Sequence, residues 1–337
     1  MGTRRHGTRA GMTLLELMLV MFLLAMILGT GLGLFAALDG GKRQAAGVVR
    51  SVVRTAQNTA IASDAPARVR IDAKAGTIQA ESMLRVGTYQ FEDGAVTGYG
   101  PEGSAEPEWF TDDGYLGAAF HPAGKHEVEA VIPIAEDSAF DLTRGFAFEC
   151  WVLREGSGGG RILSVGAADP YTVALDLGGA GDLRASFRTR VGEENSERGG
   201  ASVIAHSEPG LVHEQRWSRV GVRYDRERFE LLLDGTVVAS QPETSFVWRV
   251  DGPLTLSDRK FPFPGKIDAL VLAVMVADEP ARLPDSVHFS ADSPAVLEFE
   301  PGGALDRRVH RDPPRITLEF DDGARTAIHV GFYGTVE

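Results

Sequence analysis

From Met12 to Leu38 the chain carries an unbroken apolar run with one acidic residue, Glu16, and no base. About 20 apolar residues suffice for a helix to cross a bilayer, so the run predicts a transmembrane helix over 12–38. A carboxylate at the centre of such a helix costs roughly 2.5–3.5 kcal/mol, so Glu16 demands a partner. Arg4, Arg5 and Arg9 precede the run. Flanking bases of this kind keep an amino terminus cytoplasmic and send the rest of the chain across. An ordinary secretory signal has an apolar core of only about 7–15 residues and would leave Glu16 unexplained. Gly29, Gly31 and Gly33 each lower helix propensity by about 1 kcal/mol and read most simply as small residues at a helix-packing face.

Helical spacing continues past Leu38 through Ala45, Val49, Val52, Ala56 and Ala60, with Arg43, Arg50 and Arg54 between them. Pro66 disfavours helix at the residue before it, so the helix is expected to end near Ser63. Alternation over Ala67–Asp72, a turn at Lys74-Ala75-Gly76 and a short strand at Thr77–Gln79 predict a hairpin. From about Gly87 to Arg282 no amphipathic helix is visible. Short β-rich runs there lie between Gly, Pro, Asp and Ser clusters, the pattern of an all-β sandwich, and Asp234-Gly235 is a strong hairpin turn. The runs 296–299, 315–320, 327–330 and 333–336 predict a final small antiparallel meander.

The segment Ala10-Gly11-Met12-Thr13-Leu14-Leu15-Glu16-Leu17, behind its basic leader, resembles the type IV prepilin signal of pilins and of type II secretion pseudopilins. Met12 stands where that family usually has Phe. The resemblance implies a prepilin peptidase that cuts after Gly11 and methylates the Met12 amine. It also implies that Glu16 pairs with the terminal amine of a neighbouring pilin or pseudopilin subunit. A paired buried charge is tolerable where a lone one is not, so such a pair would set register during assembly. The helix, first hairpin and terminal meander, with Phe299-Glu300-Pro301-Gly302-Gly303, resemble a minor pseudopilin head. The middle resembles laminin-G or concanavalin-A-like jelly rolls through five segments in order: Gly117–Phe120, Phe140–Val152, Trp217–Asp225, Phe229–Val238 and Phe263–Leu272. The expected organisation is a leader at 1–11, a transmembrane segment at 12–38 and a head formed by 39–84 plus 290–337. The jelly roll at 85–289 is inserted in that head, with joins at Glu81–Val86 and Pro284–Pro294. The expected fold class is therefore α+β, with a long N-terminal transmembrane and amphipathic helix packed on a small antiparallel sheet and an inserted all-β sandwich.

The formal net charge is −13, and loss of Arg4, Arg5 and Arg9 would take it to −16. Such a chain has no basic stripe for nucleic acid. No strand carries the closely spaced carboxylate pair of a retaining glycosidase, and no nucleophile elbow, metalloprotease helix, phosphate loop or Cys/His cluster occurs. An enzyme is not expected. Cys150, the single cysteine, reads as a small buried apolar group. No cofactor is required, but some laminin-G-like domains hold calcium through oxygen ligands. The resemblance places such an ion at Asp268 and Asp93, with Asp268 satisfying backbone amides as the other reading. Trp109, Tyr115, Tyr171 and Trp248 are candidate sugar-stacking aromatics and equally candidates for core or rim packing. Taken together, the expectation is a minor pilin or pseudopilin subunit anchored in the inner membrane, with its C-terminal part in the periplasm. It would display a recognition module for glycans or a surface protein. The alternative is a membrane-anchored lectin-like adhesin outside any filament.

Overall fold

Small residues at helical spacing let α1 (Leu14–Ser63) lie close against a sheet. Ala45, Val49, Val53, Ala56 and Ala60 are buried with Val69, Ile71, Ile78, Phe299, Ile316 and Leu318. The buried stripe thus runs through Val53, with Val52 at its margin. The helix ends where expected. Ser63 Oγ donates to the Thr59 carbonyl at 2.7 Å, Asp64 turns to φ 48, and Pro66 prevents a further turn. The computed structural model describes residues 14–166, 171–191 and 199–336, and for 14–17, 20, 23–25, 27–40 and 136 the backbone alone.

The main sheet is built on β1 (Ala67–Asp72), β2 (Thr77–Gln90), β3 (Phe146–Arg154), β4 (Trp217–Tyr224), β5 (Arg228–Leu233), β6 (Thr236–Pro242), β7 (Gly265–Ala277) and β8 (Val296–Phe299). These pair in the order β6-β5-β4-β3-β7-β2-β1-β8 within a 12-stranded sheet. A 6-stranded sheet stacks on its β3–β5 side, and a 3-stranded sheet made from 287–289, 315–320 and 325–329 completes the cover of α1. Between the two large sheets lies a core that includes Phe146, Phe148, Val152, Phe187, Tyr224, Phe229 and Leu231. Phe187 stacks on Tyr224 at 4.4 Å and meets Phe229 edge-on at 4.9 Å.

Two expectations are corrected here. The molecule is mostly β, with one α-helix among the described residues, and the strands expected in one small sheet are divided between the 12-stranded sheet (67–72, 77–90, 296–299) and the 3-stranded one (315–320, 325–329). The segment Glu81–Val86, read as a join, is the middle of a 14-residue strand. Nothing between Thr77 and Val86 breaks a strand. β2 therefore pairs with β1 at its start (Arg68↔Glu81) and with β7 over the rest (Ala277↔Glu81 to Leu270↔Tyr89). One sheet runs through both parts of the chain, so the α+β description fails. The second correction concerns placement. Among the described residues no helix is long and apolar enough to cross a membrane, and the expected single-pass inner-membrane anchor is not upheld. Where its side chains are described continuously, from residue 41, α1 is amphipathic. It buries one stripe against protein and carries Lys42, Arg43, Arg50 and Arg54, which a hydrocarbon core rejects.

The main sheet curls. Arg228 on β5 donates to Glu298 on β8, although five strands, β4, β3, β7, β2 and β1, separate them. Arg70 on β1 donates to Glu227, in the turn between β4 and β5, at 2.9 Å. The outward face of the sheet is thereby drawn into a groove.

Candidate functional site: an aromatic-ended groove on the curled sheet

Strand alternation sends Phe146, Phe148, Cys150 and Val152 into the core and leaves Ala147, Glu149, Trp151 and Leu153 on the opposite face. β4 contributes Trp217, Arg219, Gly221 and Arg223 to the same face, with Arg219 opposite Trp151 and Arg223 opposite Ala147. Across β7, Val271 stands beside Glu149 and Ala273 beside Ala147, and Arg85 of β2 follows next to Ala273. Small and apolar side chains (Ala147, Ala273, Val271, Leu232) make the floor, and Arg85, Glu149, Arg219 and Arg223 rise around it. Residues Ser63–Pro66 and Pro301 close the far side, leaving a cavity of about 220 Å³.

At one end a loop folds over Trp151. Tyr115 stacks on its indole with ring centroids 3.5 Å apart and planes 14° apart, and Trp217 meets Tyr115 edge-on at 6.1 Å. Tyr115 stays 42% exposed. The loop is pinned from beneath. Asp268, fully buried at a bulge in β7, accepts from the Leu116 amide at 2.8 Å and from the Ala269 amide at 2.6 Å. Burial raises its carboxyl above the usual carboxylate range despite those bonds. Glu92 accepts from the Ala118 amide at 3.3 Å, and Gly117 adopts φ +100 with a Cβ position only 2.2 Å from Glu92 Oε1, so only glycine fits.

The groove carries charge of both signs. Arg219 pairs with Glu149 at 2.7 Å and Arg223 with Glu230. Arg85, exposed on the rim, forms no ion pair among the described residues.

The residues singled out in the sequence fare differently. Gly11 and Met12 lie outside the described residues, as does the side chain of Glu16. Asp93 is an exposed turn residue at φ 53. Both oxygens of Asp268 are spent on amides, and among the described residues no group of three or more His, Cys, Asp or Glu could hold a metal ion. No step below uses a calcium ion at Asp268 and Asp93. Of the four candidate aromatics, Tyr115 lies against Trp151 and Trp217, on the sheet face that carries the groove. Trp109 lies under Lys125, Trp248 is buried beneath Arg188, and Tyr171 donates to Asp258 at 2.7 Å. Cys150 is buried, and desolvation pushes its thiol well above the ordinary range. Trp151 and Trp217 escape a reading that takes strand aromatics for core. The signal that finds them is parity, since Trp151 shares it with Glu149, and Trp217 with Arg219.

No protein-family model matches the chain, and no curated protein matches it in sequence. Among solved structures it is similar to domain 4 of AbnA, a GH43 extracellular arabinanase from Geobacillus stearothermophilus, in complex with arabinotriose. Identity there is 15%, over 57% of this chain and 93% of that one, with a TM-score of 0.38. It is also similar to Trypanosoma rangeli sialidase (13% identity, 56% of this chain, 30% of that one, TM-score 0.38). Mouse laminin α1 chain domains LG4-5 give 14% identity over 64% of this chain and 46% of that one, with a TM-score of 0.32. This chain spans less than half the length of the last two. Nothing about this chain's fold or ligand follows from likeness at this level.

Proposed function

We propose that the chain is a lectin-like module that binds an oligosaccharide in this groove and does not turn it over. The observation that carries the reading is the Tyr115–Trp151 stack, with Trp217 beside it and Tyr115 exposed, on the same sheet face as a cavity with polar walls. A sugar ring offers a face of C–H groups to an aromatic surface while its hydroxyls seek hydrogen-bond partners. Arg219, directly opposite Trp151, and Glu149 beyond it supply such partners. Rigid aromatic area of this kind gives binding at low conformational cost. Turnover by a retaining mechanism needs two free carboxylates about 5–5.5 Å apart. The groove's carboxylates are Glu149, held by Arg219, and Asp64 on a different element.

The test is an oligosaccharide array followed by calorimetry on the full chain. Tyr115→Ala and Trp217→Ala should each weaken binding about tenfold or more, as loss of a stacking contact does, with Tm nearly unchanged. Undiminished binding in both variants, or release of new reducing ends, would refute the reading.

A second reading uses the other end of the molecule. The order of helix, hairpin and terminal meander, all packed in one core around α1, supports a filament subunit of pilin or pseudopilin type. In that reading a prepilin peptidase cuts after Gly11, Met12 is methylated, and Glu16 docks on a neighbouring subunit. Amino-terminal mass analysis of the native protein decides it, and an intact leader would sink it.

A further inference from the structure

Building on the oligosaccharide reading above, we infer that the ligand carries a carboxylate, held by Arg85, at a distance of a few sugar units from the aromatic platform. The protein as a whole is strongly acidic, with a net charge of −13. Its groove is balanced. Arg85, Arg219 and Arg223 line it against Glu149 and Asp64. Arg219 is neutralised by Glu149, and Arg223 by Glu230 beneath it. Asp64, at the end of α1, makes no ion pair with Arg85. Among the described residues Arg85 is therefore the cation of this lining without an ion pair, exposed on the rim of a concave surface, with Asp64 the carboxylate without one.

Position argues for length. Trp151 and Ala147 are four residues apart on β3, roughly 13 Å at the rise of a strand, and Arg85 lies two strands further, about 10 Å across. A single sugar stacked on Tyr115 cannot also reach Arg85, whereas a short chain lying along the floor can. The floor suits such a chain because Ala147 and Ala273 stand where bulk would fill it. Beyond Arg85 the groove continues into a second hollow bounded by Thr55, Asn58, Thr59 and Leu84, which shares Ser63 and Arg85 with the first. Hydroxyl and amide groups of α1 are thus within the same path. A guanidinium is the donor best matched to a planar carboxylate, because its N–H groups meet both oxygens.

The experiment compares like with like. Oligogalacturonates, oligomannuronates and chondroitin oligosaccharides are each titrated into the full chain beside their carboxyl-reduced forms, at low and at high salt. The reduced form keeps the stereochemistry and loses only the charge. A preference of about tenfold for the acid form of at least one series is expected at low salt, from one charge-assisted contact. It should shrink at high salt. In Arg85→Gln the preference should fall to near one, and Arg85→Lys should restore part of it. Equal binding of acid and reduced forms overturns the carboxylate inference and leaves the oligosaccharide reading standing. A preference that survives Arg85→Gln also overturns it. Binding to no acid form while neutral sugars bind has the same meaning, and binding to no sugar at all removes both readings.

Discussion

Glu81→Ala should unfold this protein more readily than any change in the groove itself. Arg68 and Glu81 face each other in register on β1 and β2, and their side chains are 4% and 5% exposed. At an effective dielectric of about 20, unit charges about 4 Å apart attract by about 4 kcal/mol. With Glu81 removed, Arg68 stays buried with Asp225 and Glu227, both 3.9 Å away, as its nearest carboxylates, and its Nη1 has no hydrogen bond to fall back on. Breaking a buried pair from one side costs about 3–5 kcal/mol. The two remaining carboxylates place this variant near the lower figure. Urea unfolding of the full chain, followed by tryptophan fluorescence and far-UV circular dichroism, should show a midpoint lowered by about 1 M or more. Replacing both partners, as Arg68→Met with Glu81→Leu, removes the desolvation cost together with the attraction and should return most of the loss. Acid adds a second readout. Burial pushes the Glu81 carboxyl up, but Arg68 and then Arg70 outweigh it and hold it below the usual carboxylate range. The native state therefore binds the proton less readily than the unfolded chain. The stabilisation is complete above the unfolded carboxylate pKa and is lost as the pH falls through the native one. The double variant should lack that acid-side slope. A Glu81→Ala cost below about 1 kcal/mol, the range of an exposed pair, would refute the reasoning, as would a double variant no more stable than the single one.

Two further outcomes follow from the site. Ala273→Phe puts a ring on the groove floor, so oligosaccharide affinity should collapse while Tm moves little, and calorimetry beside thermal unfolding checks both. Asp268→Asn should flatten the pH dependence of stability. The native carboxyl of Asp268 titrates above its unfolded value because it is buried, so the wild type loses stability as the pH rises from the unfolded pKa through the native one. A plot of Tm against pH that keeps this slope in the Asn variant would assign it to another group.

Much of the scaffold is visible in the residues. Period-two alternation in Phe146–Arg154 and Trp217–Tyr224 marks core strands, and the small-residue stripe of α1 marks its packing face. What escapes is what depends on long-range geometry. The curl that brings Arg228 to Glu298 joins residues seventy positions apart, and no local pattern announces it. Glu81–Val86 looks like a join because it borders the change of character in the chain, although it holds no strand breaker. Asp268 is legible as a special acid but not as the anchor of a loop, because its partners are amides, which every residue possesses. The apolar run at 12–38 shows the opposite difficulty. Its composition alone predicts a membrane span, and the described helix does not sustain one.

The turn that ends α1 also forms one wall of the groove, since Ser63, Asp64, Ala65 and Pro66 border the cavity. The helix is therefore a lever whose short arm touches the proposed binding site. A pull along its axis bears first on those four residues and then on β1, whose ladder to β2 continues under the groove floor. A ligand seated there braces the wall, and a displaced wall loosens the ligand. On the oligosaccharide reading, that single turn is where grip and load would meet.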